Sequence, residues 1–156
     1  MKNNKEGTQI PELKDLRPFF SEKGIKMTPQ RIAVYQALLK LKHPCVEEIA
    51  EDVHKSNPTI TIATIYNILE FFCEKGIIAK MRTNSGKMHY ETHPQPHHHI
   101  CDETKDVIED YYDEELNKLI KAYFNKKNLS EWEILDFHLY LHGKYNGNVE
   151  ETYNNK

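Results

Sequence analysis

The sequence predicts an α+β protein in two parts: a helical N-terminal domain closed by a hairpin, then a smaller C-terminal α/β domain with a short antiparallel sheet. Three observations predict it. Four segments with helical apolar spacing precede two alternating segments, which are joined by the turn composition Thr83-Asn84-Ser85-Gly86. Two prolines in His93-Pro94-Gln95-Pro96 interrupt both helix and ladder. Beyond them, short apolar runs flank one amphipathic segment. The expected divisions are residues 1–92, a hinge at 93–96, a second domain at 97–145 and a disordered tail at 146–156.

The first helix is expected over Leu13 to Lys23, closed by Gly24. Thr28 then caps a helix that begins at Pro29 and carries Ile32, Val34, Tyr35, Leu38 and Leu39 at helical spacing, ending near His43-Pro44. A third helix runs from Val46 to about Lys55, with Val46, Ile49, Ala50 and Val53 on one face, until Asn57-Pro58 breaks it. In the fourth, Ile62, Ile65, Ile68, Leu69 and Phe72 form the apolar set, Thr64, Tyr66, Asn67 and Glu70 lie on other faces, and Gly76 ends it. Two alternating strands follow, Ile77 to Met81 and Lys87 to Thr92. Three helices and a hairpin in this order describe a winged helix-turn-helix, whose last helix can enter the major groove of DNA.

In the second part, strands are expected at His99 to Cys101, Val107-Ile108 and Leu135 to Leu141, with a helix over Asp113 to Phe124. The last strand would place Leu135, Phe137, Leu139 and Leu141 on one face.

Charge divides the chain as the elements do. Residues 1–88 carry 14 Lys and Arg against 10 Asp and Glu, whereas residues 89–156 carry 7 against 14. The first part therefore suits an anion such as nucleic acid, and the second suits cations. The N-terminus lacks a signal-peptide apolar run and no segment is a membrane span, so a cytoplasmic protein without a membrane partner is expected. Cys45, Cys73 and Cys101 include no CxxC pair, which argues against a disulfide framework and a four-thiolate zinc site.

The chemistry concentrates in His97-His98-His99. Strand alternation puts His97 and His99 on one side and His98 on the other, so two imidazoles can share one metal. Glu91, at the end of a hairpin strand, and Glu109, after Val107-Ile108, can add oxygen ligands, and His43, at a helix junction, a fifth group. A mixed N/O set suits Fe(II), Mn(II), Co(II) or Zn(II). His54, alone on a helix, reads as a structural or surface residue. A catalytic metal centre is disfavoured because there is no HExxH, no second acid placed as general base and no glycine-rich phosphate loop. A haem or metal buffer remains as a reading from another class, since the fourth helix has only Lys75, near its end, as a positive residue.

Seven stretches, GIKMTPQR (Gly24 to Arg31), HPCVEEIAEDV (His43 to Val53), ITIATIYNILEFFCEKGII (Ile60 to Ile78), HYE (His89 to Glu91), the histidine run, DVIED (Asp106 to Asp110) and LYLHG (Leu139 to Gly143), resemble the Fur family of bacterial metal-responsive repressors. That family includes the peroxide-sensing PerR group. The resemblance spans about residues 13 to 145 and implies a homodimer, with a C-terminal dimerisation domain, that binds an AT-rich palindromic operator in double-stranded DNA when metal occupies the hinge site. Carried over by position, the regulatory ligands would be His43, Glu91, His97, His99 and Glu109, with Fe(II) as the metal in vivo and Mn(II), Zn(II) or Co(II) as substitutes. His98, Glu115 and His138 would be the candidates for a second site. Tyr66 resembles a reader of thymine methyls, with Thr64 and Asn67 beside it; Lys23 resembles a minor-groove residue and Arg31 a phosphate contact.

The chain departs from the family pattern in two places. The structural-zinc CxxC positions read Cys101-Asp102-Glu103-Thr104 and Tyr145-Asn146-Gly147-Asn148, so the C-terminal domain is expected to rest on its apolar core and dimer interface. The histidine run also stands one residue closer to Cys101 than usual. Counting from Glu91 selects His97 and His99; counting back from Cys101 selects His98. The position of Glu109 is usually Glu in iron regulators and Asp in peroxide sensors, so Glu109 favours iron sensing, with peroxide sensing through histidine oxidation as the alternative.

Overall fold

The computed structural model of the protein describes residues 13–83, 86–92, 97–102, 104–127, 129 and 131–147. The proposed hinge at 93–96 and the tail beyond 147 lie outside the described residues. The chain forms two compact units, one holding four helices and a hairpin, the other three strands and a helix.

In the first unit, α1 (Leu13–Glu22), α2 (Pro29–Lys40), α3 (Val46–Ser56) and α4 (Ile62–Glu74) precede β1 (Ile78–Arg82) and β2 (Met88–Thr92). Short side chains and glycines set the limits. Gly24 takes φ +66°, a left-handed turn in which Ile25 N donates to Phe20 O at 2.9 Å and satisfies the end of α1. Thr28 Oγ1 accepts from Arg31 N at 3.3 Å, and Thr61 Oγ1 from Thr64 N at 3.2 Å, giving α2 and α4 hydroxyl caps. At α3 the Glu48 carboxylate reaches back to Cys45 N, 2.9 Å away.

The core of this unit is aromatic at its centre. Phe20, Tyr35 and Phe72 meet with ring centroids 5.0, 5.6 and 5.8 Å apart, surrounded by Val34, Leu38, Ile49, Val53, Ile65, Leu69 and Ile78. The hairpin pairs antiparallel from Ile78↔Thr92 to Arg82↔Met88. One residue departs from the expected apolar set: Ile62 is 50% exposed, whereas Ile65, Ile68, Leu69 and Phe72 are buried.

In the second unit, β3 (His98–Asp102) is the central strand of the order β4-β3-β5. β4 (Val107–Tyr111) pairs with it antiparallel, as expected, with His99 opposite Asp110 and Ile100 opposite Glu109. α5 (Glu114–Asn125) follows, capped by Asp113, whose Oδ1 accepts from Leu116 N at 2.9 Å. β5 (Tyr140–His142) then joins the other edge of β3 in parallel, so the sheet is mixed. The long connection through α5 lets the chain cross to that edge.

β5 is shorter than the expected strand. Leu135 is 83% exposed, and the backbone of Leu139 is engaged by a side chain, its N–H donating to His98 Nδ1 at 3.3 Å. Phe137 stacks on the same imidazole at 5.6 Å. The apolar alternation therefore does not mark one buried strand face.

Of the expected apolar core and dimer interface, the core that a single chain buries in this unit is small. Its buried apolar residues among those described are Cys101 and Val107, and α5 buries none. A polar staple stands where the CxxC pairs would have been. Asp102 Oδ1 accepts from Thr104 N (2.9 Å), Thr104 Oγ1 (2.6 Å) and Lys105 N (3.3 Å), while Oδ2 accepts from Tyr145 N (2.6 Å). Lys105 Nζ completes it by donating to Tyr145 O at 2.6 Å. The Thr104 hydroxyl, followed by the Tyr145 amide, lowers the Asp102 carboxyl to a pKa of about 2, since each donor favours the charged form.

Candidate metal centre

Among the described residues, ligand-type side chains cluster in both units. In the first, His43 follows α2 at φ +45° and directs Nδ1 to within 3.5 Å of Glu91 Oε2 on β2. Its backbone is held by β2: His89 Nδ1 donates to His43 O at 2.7 Å, and Tyr90 N to Pro44 O at 3.0 Å. That bond assigns the Nδ1–H tautomer to His89. His89 was not among the residues expected at the site. Its signal in the sequence is the HYE alternation, which places it on the same side of β2 as Glu91.

In the second unit, His97 Nε2 and His99 Nε2 lie 3.1 Å apart, and Asp110 Oδ1 is 3.3 Å from the first and 4.0 Å from the second. Aromatic stacking fixes both rings, His97 on Tyr112 and His99 on Tyr140, each at 5.3 Å. Two nitrogens about 2.1 Å from one ion and about 95° apart at it would be separated by this 3.1 Å, so the donors fit a shared divalent metal. Oxygen and imidazole donors, rather than thiolate, make the set. The Cys45 thiol is pushed up to about 11 by burial and stays protonated at neutral pH.

Glu109 is not part of this cluster. It pairs with Ile100 and so lies on the opposite face from His97, His99 and Asp110. The acid that meets the imidazoles is one residue later, because a strand pair fixes which residues share a face.

The candidates for a second site are not brought together either. His98 Nε2 donates to Asn117 Oδ1 at 2.8 Å while its Nδ1 accepts from Leu139 N, so both ring nitrogens are engaged and Asn117, not Glu115, is the partner from α5. Glu115 is exposed, and His138 faces Asp136 at 3.2 Å and His97 O at 3.3 Å.

Of the expected DNA contacts, Lys23 is exposed near the end of α1, and Tyr66 (42% exposed) and Asn67 face outward from α4. Thr64 takes part in the α4 cap through Thr61. Arg31 is engaged within the unit: its guanidinium lies 4.0 Å over the Phe71 ring and donates to Lys26 O at 2.8 Å. Among the described residues no helix is long and apolar enough to cross a membrane.

Comparison with known families decides the kinship. A model described as the Ferric uptake regulator family matches residues 22–142. The chain belongs to this family.

This Fur-family chain is 37% identical over 99 residues to the ferric uptake regulation protein of Rhizobium leguminosarum bv. viciae, covering 62% of the chain and 70% of that relative. It is 27% identical over 103 residues to the peroxide operon regulator of Bacillus subtilis (strain 168), covering 65% and 71%. The solved structure of a zinc-bound manganese uptake regulator superposes with a TM-score of 0.64 at 28% identity, over 82% of this chain and 96% of that one. Fur-family proteins are metal-responsive transcription regulators rather than enzymes; they bind DNA and act as dimers. The winged helix-turn-helix and the C-terminal α/β unit are the family's architecture.

Proposed function

We propose that the protein is a homodimeric, metal-dependent repressor that binds an AT-rich palindromic operator when Fe(II) or a similar divalent ion is held by His43, Glu91, His97, His99 and Asp110. The convergence of His97 Nε2, His99 Nε2 and Asp110 Oδ1 carries this reading. His43 and Glu91 form a matching pair on the other unit, and one ion shared by the two sets would couple them. The metal's contribution is charge and coordination geometry. An ion can raise DNA affinity only by binding the DNA-competent arrangement more tightly than the others, and by linkage DNA then raises metal affinity equally.

Exposed apolar side chains on the second unit, Leu119 (67%), Tyr123 (54%), Trp132 (77%) and Leu135 (83%), support a homodimer, since water is a poor solvent for such a set. The test is an anisotropy titration of an AT-rich palindrome with Mn(II) or with chelator. Tighter binding with Mn(II), lost in a His97→Ala/His99→Ala double variant and kept in His54→Ala, is expected. Equal affinity with and without metal would overturn the switch.

A second reading is peroxide sensing: the paired imidazoles of His97 and His99 would be the groups nearest a redox-active Fe(II) held at this cluster. Mass spectrometry after exposure of the Fe(II)-loaded protein to peroxide distinguishes it. Addition of one oxygen atom to His43, His97 or His99 supports peroxide sensing, and unmodified histidines support iron sensing.

A further inference from the structure

The outward face of α4 begins with an anomaly, Ile62. It is half exposed while Ile65, Ile68, Leu69 and Phe72 on the same helix are buried. Helical spacing groups it with the exposed residues Ala63, Tyr66 and Asn67 in the first two turns after the Thr61 cap. No Lys or Arg occurs anywhere in α4. One turn further along, both Glu70 carboxylate oxygens are held by Lys80 Nζ, at 2.9 and 2.7 Å.

We propose that Ile62 and Asn67 set the base specificity of α4, Ile62 by packing on the C5-methyl of a thymine and Asn67 by pairing with the N6 and N7 edge of an adenine. This deepens the DNA-binding reading above and rests on it. In the major groove, the thymine methyl is the one apolar group that base pairs offer, and an exposed aliphatic side chain fits it. A side-chain amide supplies one donor and one acceptor, the complement of adenine N7 and N6–H.

The cationic donors that best read guanine are missing from the same face. Guanine O6 and N7 call for the paired donors of Arg or Lys, which α4 lacks. Glu70 could accept from cytosine N4, but its oxygens are bound to Lys80. A G·C pair opposite this face would find no Arg or Lys fork to pair with guanine, so selection for A·T rests on the better fit of Ile62 and Asn67 to that pair. Affinity for phosphate must then come from cations outside α4, among them the exposed Lys23 and Lys75.

The experiment is selection from a randomised duplex pool by the full-length protein with Mn(II), comparing wild type, Ile62→Ala, Asn67→Ala and Asn67→Arg. Wild type is expected to enrich a symmetric motif with a required A and a required T in each half-site. Asn67→Ala should relax the A position about tenfold and leave the others, and Asn67→Arg should convert it to G. Ile62→Ala should relax the T position, as should replacing that thymine by uracil with wild-type protein. If both alanine variants enrich the wild-type motif with unchanged stringency, the assignment is wrong. Enrichment of no motif by wild type would overturn the DNA-binding reading itself, and the assignment with it.

Discussion

Asp110 Oδ1 stands 3.3 Å from His97 Nε2, and Asp110 is the cross-strand partner of His99. Its neighbour Glu109 pairs with Ile100 and belongs to the other face of the sheet. The two acids are therefore not interchangeable.

Asp110→Asn should weaken Mn(II) binding by about tenfold or more, while Glu109→Gln changes it little. Calorimetric titration of both variants decides the matter. The reverse order would return Glu109 to the site.

His98 should behave as a strut. It is 2% exposed, and its bond to Asn117 joins β3 to α5. Removing the acceptor in Asn117→Ala leaves a buried donor unmet, at a cost of about 1–3 kcal/mol in urea denaturation. Mn(II) affinity should stay within about threefold of wild type. A large loss of metal binding with unchanged stability would instead make Asn117 the orienting partner of a metal-binding His98.

The Asp102 staple should be acid-sensitive. Its carboxyl titrates at about 2 in the folded chain and near its ordinary value of about 3.9 when unfolded. Stability from a lowered carboxyl is complete above the unfolded value and fades as pH falls towards the folded one. Asp102→Asn should therefore lower Tm by a constant amount between about pH 7 and 5, and by progressively less below about pH 4. A difference that grows in acid would contradict the hydrogen-bonded carboxylate.

Phe72 closes the aromatic centre of the first unit and has no exposed surface. Phe72→Ala should cost about 3–5 kcal/mol, measured by denaturant unfolding of this unit. A loss below about 1 kcal/mol would mean that the neighbouring rings close over the space.

Local chemistry was readable from the residues alone. Thr28, Gly24 and Gly76 mark helix limits because capping depends on residues within a few positions of each end. The division of the histidine triplet also follows from strand alternation, and the structure keeps His97 and His99 together on one face. Register between strands was not readable. Positional carry-over kept the acid at Glu109, but the β3–β4 pairing that puts Asp110 opposite His99 is set by the intervening turn. His89 and Asp102 were missed for a related reason: their partners, His43 and Tyr145, lie 46 and 43 residues away. The Leu135–Leu141 alternation ends in a three-residue edge strand, and its side chains Leu135 and Leu141 stay exposed within one chain.

The bonds from Asp102 to Thr104, Lys105 and Tyr145 use only atoms that belong to the polypeptide. A cell short of zinc, or one whose thiols are being oxidised, leaves that clasp intact. The join between β3 and the segment after β5 is thus made by the polypeptide itself, and stripping metal from the protein with a chelator should leave it closed.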